Sequence, residues 1–253
     1  MKIIELINKL DELFPRSLGC DWDNDGVMCA ADSEREAKRV LCVLDVTDDV
    51  VRYAQNNGFD VIISHHPLIF KPLSSVFDRD PAQKMMIDLI KNNITVLSYH
   101  TRLDAAPGGV SDLLCELIGL TDVKTIADGG ENILRIGKTE ETDLTSFSSK
   151  VKSALDCPFV LTSSQINTVS RVAVCPGDGK DFVRIAKELG ADTYLTGRLS
   201  YNIMCDAYKL GLNLIEAGHY FTERKIAYRL ADTVNKLCGA HTEVYESLNI
   251  NII

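Results

Sequence analysis

Between Arg39 and His100 the chain repeats one pattern, an apolar run followed by a helix-forming stretch and another apolar run. "RVLCVLDV" reads as a near-continuous apolar strand of the kind buried on both faces. "TDDVVRYAQNNG" follows as a helix with Thr47 or Asp48 at its N-cap and Gly58 at its stop. "DVIIS" is the next strand, "PAQKMMIDLIKNN" opens with proline at a helix start, and "ITVLSYH" is a third strand. Strands alternating with helices of this length leave few solutions: right-handed βαβ crossovers and a mostly parallel sheet. "GCDWDNDGV", which precedes the pattern, reads as a loop.

After Leu120 the texture changes to a stretch rich in Thr, Ser, Asp, Glu and Gly, with one short strand, "NILRIG". The helix "LTSFSSKVKSAL" and the strand "VSRVAVCP" then start a second α/β unit, which runs on through "ADTYLTG" and "LNLIEAG". A last long helix from about Tyr220 to Leu237 leads to a terminal strand around "TEVYE". The expected organisation is α/β with two subdomains, residues 1–125 and 126–215, and a C-terminal helix and strand, 216–253, returning to the first.

At 253 residues, with 45% hydrophobic and 25% charged residues, the chain matches an ordinary globular protein with one large or two intimate domains. Its net charge of −9 and the lack of any Lys/Arg run argue against a nucleic-acid partner. The eight cysteines are scattered without CxxC spacing, so they read as reduced thiols rather than a zinc ribbon or redox pair. "MKIIELINKLDELF" is an amphipathic first helix, not a signal peptide, and no apolar run approaches the ~18 residues of a membrane span. The cytoplasm is the expected compartment.

Four of the five histidines lie within a few residues of a strand end, where ligands of βαβ folds gather. His65 and His66 directly follow "VIIS"; His100 and Asp104 follow "ITVLSY"; His219 and Glu223, one helical turn apart, follow "LNLIEAG". His241, the fifth, reads as structural. Side chains alternate along a strand, so adjacent histidines are expected to diverge, which suits two neighbouring ions better than one. Three histidines and two carboxylates with no cysteine nearby fit zinc, manganese, iron or cobalt. Five ligands exceed what one open catalytic zinc takes and match two ions bridged by a carboxylate or hydroxide. Spacing alone does not rank His100 below the other histidines.

Other features rank lower. "CPGDGKDF" sits where a phosphate loop would but lacks its Gly-Lys-Ser/Thr, so it reads as a tight strand-helix turn. Cys175 and Cys157 lack a local partner as nucleophiles. "WDNDG" places Asp23, Asn24 and Asp25 either in a site or in an ordered turn around a buried Trp22.

"WDNDG", "IISHHPLIF", "HTRLDAAPGGVSD", "TYLTG" and "EAGHYFTE" together resemble the motifs of the NIF3-like family, labelled GTP cyclohydrolase 1 type 2 homologue, in its short form without an inserted domain. The resemblance implies two interlinked α/β halves with a dinuclear metal centre between them, and a ring-shaped homohexamer. It implies His65, His66, Asp104, His219 and Glu223 as metal ligands, with His100 beside them or against substrate. The family commonly follows "TG" with an aspartate and then a histidine; here those places hold Arg198 and Asn202, and Arg102 stands in "HTxLD" where Asn or Ala is usual. Arginines suit an anionic group such as phosphate.

The expectation is a hydrolase of a nucleotide or other phosphate-containing small molecule, using two divalent ions, with His100 and Asp104 as catalytic groups. The competing expectation is a metal-binding scaffold or regulatory protein without turnover.

Overall fold

The computed structural model describes residues 1–127, 131–248 and 250. Along the chain run α1 (Ile3–Leu13), β1 (Gly26–Cys29), β2 (Arg39–Val43), α2 (Asp48–Asn56), β3 (Val61–Ser64), α3 (Pro81–Lys91), β4 (Thr95–Ser98), α4 (Thr101–Ala105) and α5 (Val110–Leu117). Next come β5 (Thr121–Thr125), β6 (Arg135–Asp143), α6 (Leu144–Leu155), β7 (Leu161–Ser163), β8 (Thr168–Cys175), α7 (Val183–Glu188), β9 (Thr193–Thr196), α8 (Tyr201–Lys209) and β10 (Asn213–Glu216). α9 (His219–Glu223), α10 (Ile226–Cys238) and β11 (His241–Val244) complete the described elements.

Two units divide the chain, one of Met1–Leu103 with the described residues from Arg224 onward, the other of Asp104–Glu223. The change of texture at Leu120 suggested a later boundary. The division falls earlier because α5 buries Leu114 and Cys115 in one cluster with β8 (Val172, Val174) and α6 (Phe147, Val151), so the segment after Leu103 packs with elements on its C-terminal side. Residues 128–130 of the expected second subdomain, and 249 and 251–253 of the expected C-terminal segment, lie outside the described residues.

The first unit holds a five-stranded sheet, β1-β4-β3-β2-β11, in which only β1 is antiparallel to its neighbour. β3 and β4 are buried along their whole length, as their unbroken apolar runs require. One face carries Leu41, Val43, Ile62 and Val96 against Val50, Val51 and Ala54 of α2 and Met86 and Leu89 of α3. α10 packs on β2 and β11, with α1 against it, covering the opposite face. Strand β1 was read as loop from sequence; it pairs with β4 through Gly26, whose φ of +104° is a conformation that favours glycine.

The second unit's six-stranded sheet, β5-β6-β8-β9-β10-β7, has β8, β9 and β10 parallel at its centre and antiparallel strands at both flanks. The short strand expected at "NILRIG" becomes β6, nine residues long, because it pairs with both β5 and β8. The single long helix expected over Tyr220–Leu237 is two, α9 and α10, interrupted at Arg224 and Lys225, where the chain passes from one unit to the other. Among the described residues no helix is long and apolar enough to cross a membrane.

Candidate metal centre

Strand registry places the first donors. Val43 pairs with Ser64 and Ser64 with Ser98, so β2 ends level with the last residues of β3 and β4. The Ser64 and Ser98 hydroxyls lie 2.8 Å apart, and Ser64 Oγ donates to the His66 carbonyl at 2.8 Å. The backbone N–H groups of His65 and His66 donate to the carbonyls of Val43 and Leu44, at 3.2 and 2.9 Å. On the other side, Tyr99 N–H donates to the Ser64 carbonyl at 2.9 Å, which brings His100 out of β4 beside the histidine pair.

The three imidazoles gather. Ring centroids of His65, His66 and His100 are 5.1, 5.3 and 5.7 Å apart, and one nitrogen of each lies within 4.8 Å of the others. His65 and His66 therefore do not diverge as strand alternation suggested, because both lie past Ser64, the last residue of β3.

Each Nδ1 has a partner. His65 Nδ1 meets the Tyr99 carbonyl at 2.9 Å, His66 Nδ1 meets Asp45 Oδ1 at 2.7 Å, and His100 Nδ1 meets Asp23 Oδ1 at 2.9 Å. A carbonyl or a carboxylate only accepts, so these contacts assign the proton to Nδ1 and leave the lone pair on Nε2. This is the support that metal-binding histidines receive, since it fixes both tautomer and ring orientation. The donor set and its supports fit a borderline divalent ion.

"WDNDG" supplies part of that support. Asp23 is buried and accepts from Thr101 N at 3.0 Å and Thr101 Oγ1 at 2.6 Å as well as from His100. Burial pushes its carboxyl up, but the bonds from His100 and Thr101, and at acid pH the protonated His100 ring, outweigh it, and the net pKa falls to about 2. Trp22, expected inside this turn, is instead 57% exposed. The turn's core is the aspartates, because Asp25 receives Arg102 Nε at 2.9 Å.

That contact settles Arg102. Its guanidinium is buried and also donates to Asp11 Oδ1 at 2.8 Å and the Phe14 carbonyl at 2.9 Å, while stacking 4.5 Å over the Tyr99 ring. The expectation that it binds an external anion gives way to an internal brace between α1, "WDNDG" and α4. Burial pushes the Asp25 carboxyl up despite the opposing charge of Arg102.

In the second unit, Cys175 pairs with Thr196 and Thr196 with Glu216, so β8, β9 and β10 also end level. The loops beyond them hold Gly177, Gly197 and Gly218. His219 Nε2 and Glu223 Oε2, one turn apart on α9, are 3.0 Å apart. Thr222 Oγ1 donates to the His219 carbonyl at 2.8 Å and accepts Gly177 N–H at 3.2 Å, which fastens α9 to the "CPGDG" loop. A Cβ on Gly177 would stand 2.4 Å from Glu223 Oε1 and 3.3 Å from His219 Nε2; one on Gly197 would stand 2.7 Å from the His219 Cα. These two glycines are what admits the donor pair, and sequence reading, which saw only a tight turn, missed that role.

Asp104 lies in α4, buried, with a carboxylate oxygen within 4.8 Å of one from Glu223. The next residue's carbonyl, on Ala105, accepts from Arg135 Nη2 at 3.1 Å, and Arg135, itself 1% exposed, is ion-paired to Asp112. Cys175 is buried, and burial first, then the nearby carboxylates of Asp104 and Glu223, push its thiol well above the ordinary range, a poor setting for a nucleophile. Cys157 is also buried, its thiol directed to the Lys152 carbonyl. Arg198 and Asn202 are exposed, the charge of Arg198 facing Glu216 and Asn202 Oδ1 lying 2.6 Å from Ser200 Oγ. His241 Nε2 lies 2.8 Å from Glu243 Oε1 at the start of β11, and among the described residues it belongs to none of the groups that could hold a metal ion.

Comparison with known proteins agrees over the whole length. The family model described as Duf34/NIF3 (NGG1p interacting factor 3) matches residues 1–251. A Lactococcus lactis subsp. lactis (strain IL1403) protein named GTP cyclohydrolase 1 type 2 homolog is 32% identical over 251 residues, covering 98% of this chain and 96% of its own. A Clostridium perfringens (strain 13 / Type A) protein of the same name is 30% identical over 249 residues, covering 96% of this chain and 95% of its own. Among solved structures, the Staphylococcus aureus hypothetical protein SA1388 superposes with a TM-score of 0.89 at 26% identity, covering 100% of this chain and 99% of that one.

Proposed function

The chain belongs to the Duf34/NIF3 family, and from that premise we propose that it is a metal-dependent hydrolase of a nucleotide or another phosphate-containing small molecule. His65, His66, Asp104, His219 and Glu223 would hold two divalent ions, zinc, iron, manganese or cobalt. The observation that carries this reading is that Nδ1 of His65 meets a carbonyl oxygen and Nδ1 of His66 a carboxylate oxygen, since such support leaves the lone pair of each Nε2 as a donor to a cation.

Bound ions of this kind lower the pKa of water and polarise a scissile phosphoester or ring carbon. The chain's residues do the rest. His100, oriented by Asp23, receives or returns a proton at Nε2, and Asp104 accepts a proton or a hydrogen bond from the attacking water. The relatives' name suggests opening of the guanine ring of GTP; phosphoester hydrolysis is equally compatible with the donor chemistry.

Metal analysis of the purified protein should find about two ions per subunit, with His65→Ala and His66→Ala each lowering that content. A screen of nucleotides and phosphoesters should then reveal turnover abolished by Asp104→Ala and by chelation. Turnover that survives both overturns the metal-hydrolase reading. A second reading, a metal-holding protein without turnover, draws on Arg198 and Asn202 standing where the family commonly has groups able to transfer protons. Full metal content with no hydrolysis of any substrate would select it. Assembly into a homohexamer in the cytoplasm belongs to the same proposal, and a monomeric mass by light scattering refutes the ring.

A further inference from the structure

Trp22 and Phe70 are large aromatic residues left 57% and 47% exposed beside a buried polar cluster. With His100 they form three steeply inclined rings: Trp22 and Phe70 have centroids 6.2 Å apart at 67°, Trp22 and His100 6.2 Å at 74°, and Phe70 and His100 6.4 Å at 85°. The corner is held from behind. Asn24 Nδ2 donates to the Ile69 carbonyl, tying the Trp22 turn to the segment that ends in Phe70, and Asp23 anchors the same turn to His100 and Thr101. Cys20 N–H donates to Thr101 Oγ1 at 2.9 Å, a further tie on the side of the turn before Trp22.

Edge-to-face contacts hold the two rings together, yet both stay exposed side by side on a braced turn next to a polar cluster, and adjoining exposed aromatic surface of this kind is where a ligand docks. The inclination selects the ligand. A planar ring can stack on one exposed face while presenting its positive edge to the π face of the next, an arrangement each aromatic pair here already shows. A flexible aliphatic chain draws no advantage from rings set at steep angles.

We propose that Trp22 and Phe70 form a stacking subsite for a planar heteroaromatic ring, of nucleobase or pyridine size, next to His100. It deepens the hydrolase reading by naming the ring the substrate carries, and rests on that reading only for what then happens to the ring or its substituents. Trp22 stacks, Phe70 contacts the ring edge, and His100 stands within reach of a polar substituent.

Trp22 is the chain's single tryptophan, so its fluorescence reports this corner alone. Titration of the wild-type protein with adenosine or nicotinamide should quench it saturably, whereas ribose 5-phosphate should not. Phe70→Ala should weaken adenosine binding about tenfold, the upper end of one edge-to-face ring contact. Absence of saturable quenching by both rings, or equal affinity in Phe70→Ala, overturns the subsite. A change in assembly mass on Phe70→Ala, read by light scattering, overturns it too, since the rings would then join copies of the chain. Quenching retained by chelator-treated protein that hydrolyses nothing even when metal is restored upholds the subsite while refuting the hydrolase reading.

Discussion

The donors at the ends of β3 and β4 and those on α9 are placed by opposite means. At the first, side chains are held by what touches them: each imidazole is fixed through Nδ1 by Tyr99, Asp45 or Asp23, and the strand ends are levelled by the paired hydroxyls of Ser64 and Ser98. At the second, they are held by what is missing: α9 approaches the "CPGDG" loop because Gly177 and Gly197 carry no side chain. A hydrogen-bonded support can be weakened by degrees, whereas a steric vacancy is lost at once when filled.

The contrast is broken most sharply at Gly177. Gly177→Ala puts a methyl group 2.4 Å from Glu223 Oε1 at a φ of +63°. Metal affinity should fall about a hundredfold, the upper end of what losing ligand support costs, and unaltered binding by calorimetry would show that the Glu223 side chain can yield. At the other group, Asp45→Ala removes only the acceptor of His66 Nδ1. The loss there should be nearer tenfold, and a loss equal to that of Gly177→Ala would erase the distinction.

Acid tests the buttress further. The Asp23 pKa is held at about 2, below its unfolded value. Its contribution is therefore complete above the unfolded carboxylate range, near 4, and is lost as pH falls through about 2; it amounts to about 2 kcal/mol. Urea melts at descending pH should show wild type losing that increment while Asp23→Asn, lacking it from the start, changes less. The smallest effect belongs to a control: Gly239 has the same φ of +63° as Gly177 but nothing within 4 Å of an added Cβ. Gly239→Ala should cost about 1 kcal/mol of backbone strain and leave metal content unchanged, and a change in that content would mean that backbone strain alone explains Gly177→Ala.

The same contrast marks what was legible. The histidines announced themselves because each comes after an apolar run, and a polar residue past a buried strand end is conspicuous in one dimension. The roles of Asp45 and Asp23 were not, because they lie 21 and 77 residues from the histidines they hold. Trp22 misled because a lone tryptophan in a turn ordinarily buries its ring; here Asp23 and Asp25 take the interior and displace it outward. Arg102 looked like an anion binder because its three carriers of negative charge or carbonyl oxygen, Asp11, Phe14 and Asp25, are all distant in sequence.

By itself the sequence determined the α/β class, the alternation that makes both sheets parallel at their centres, and the three segments that bring histidine and carboxylate to strand ends, since these stem from local periodicity and from the rule that side chains change character where burial stops. Only the tertiary structure decided that His65 and His66 converge, which nitrogen each imidazole offers, where the chain passes between units, and why residues 177 and 197 are glycine. Each of those depends on atoms far apart along the chain meeting within a few ångströms, and contacts of that kind leave no periodic trace.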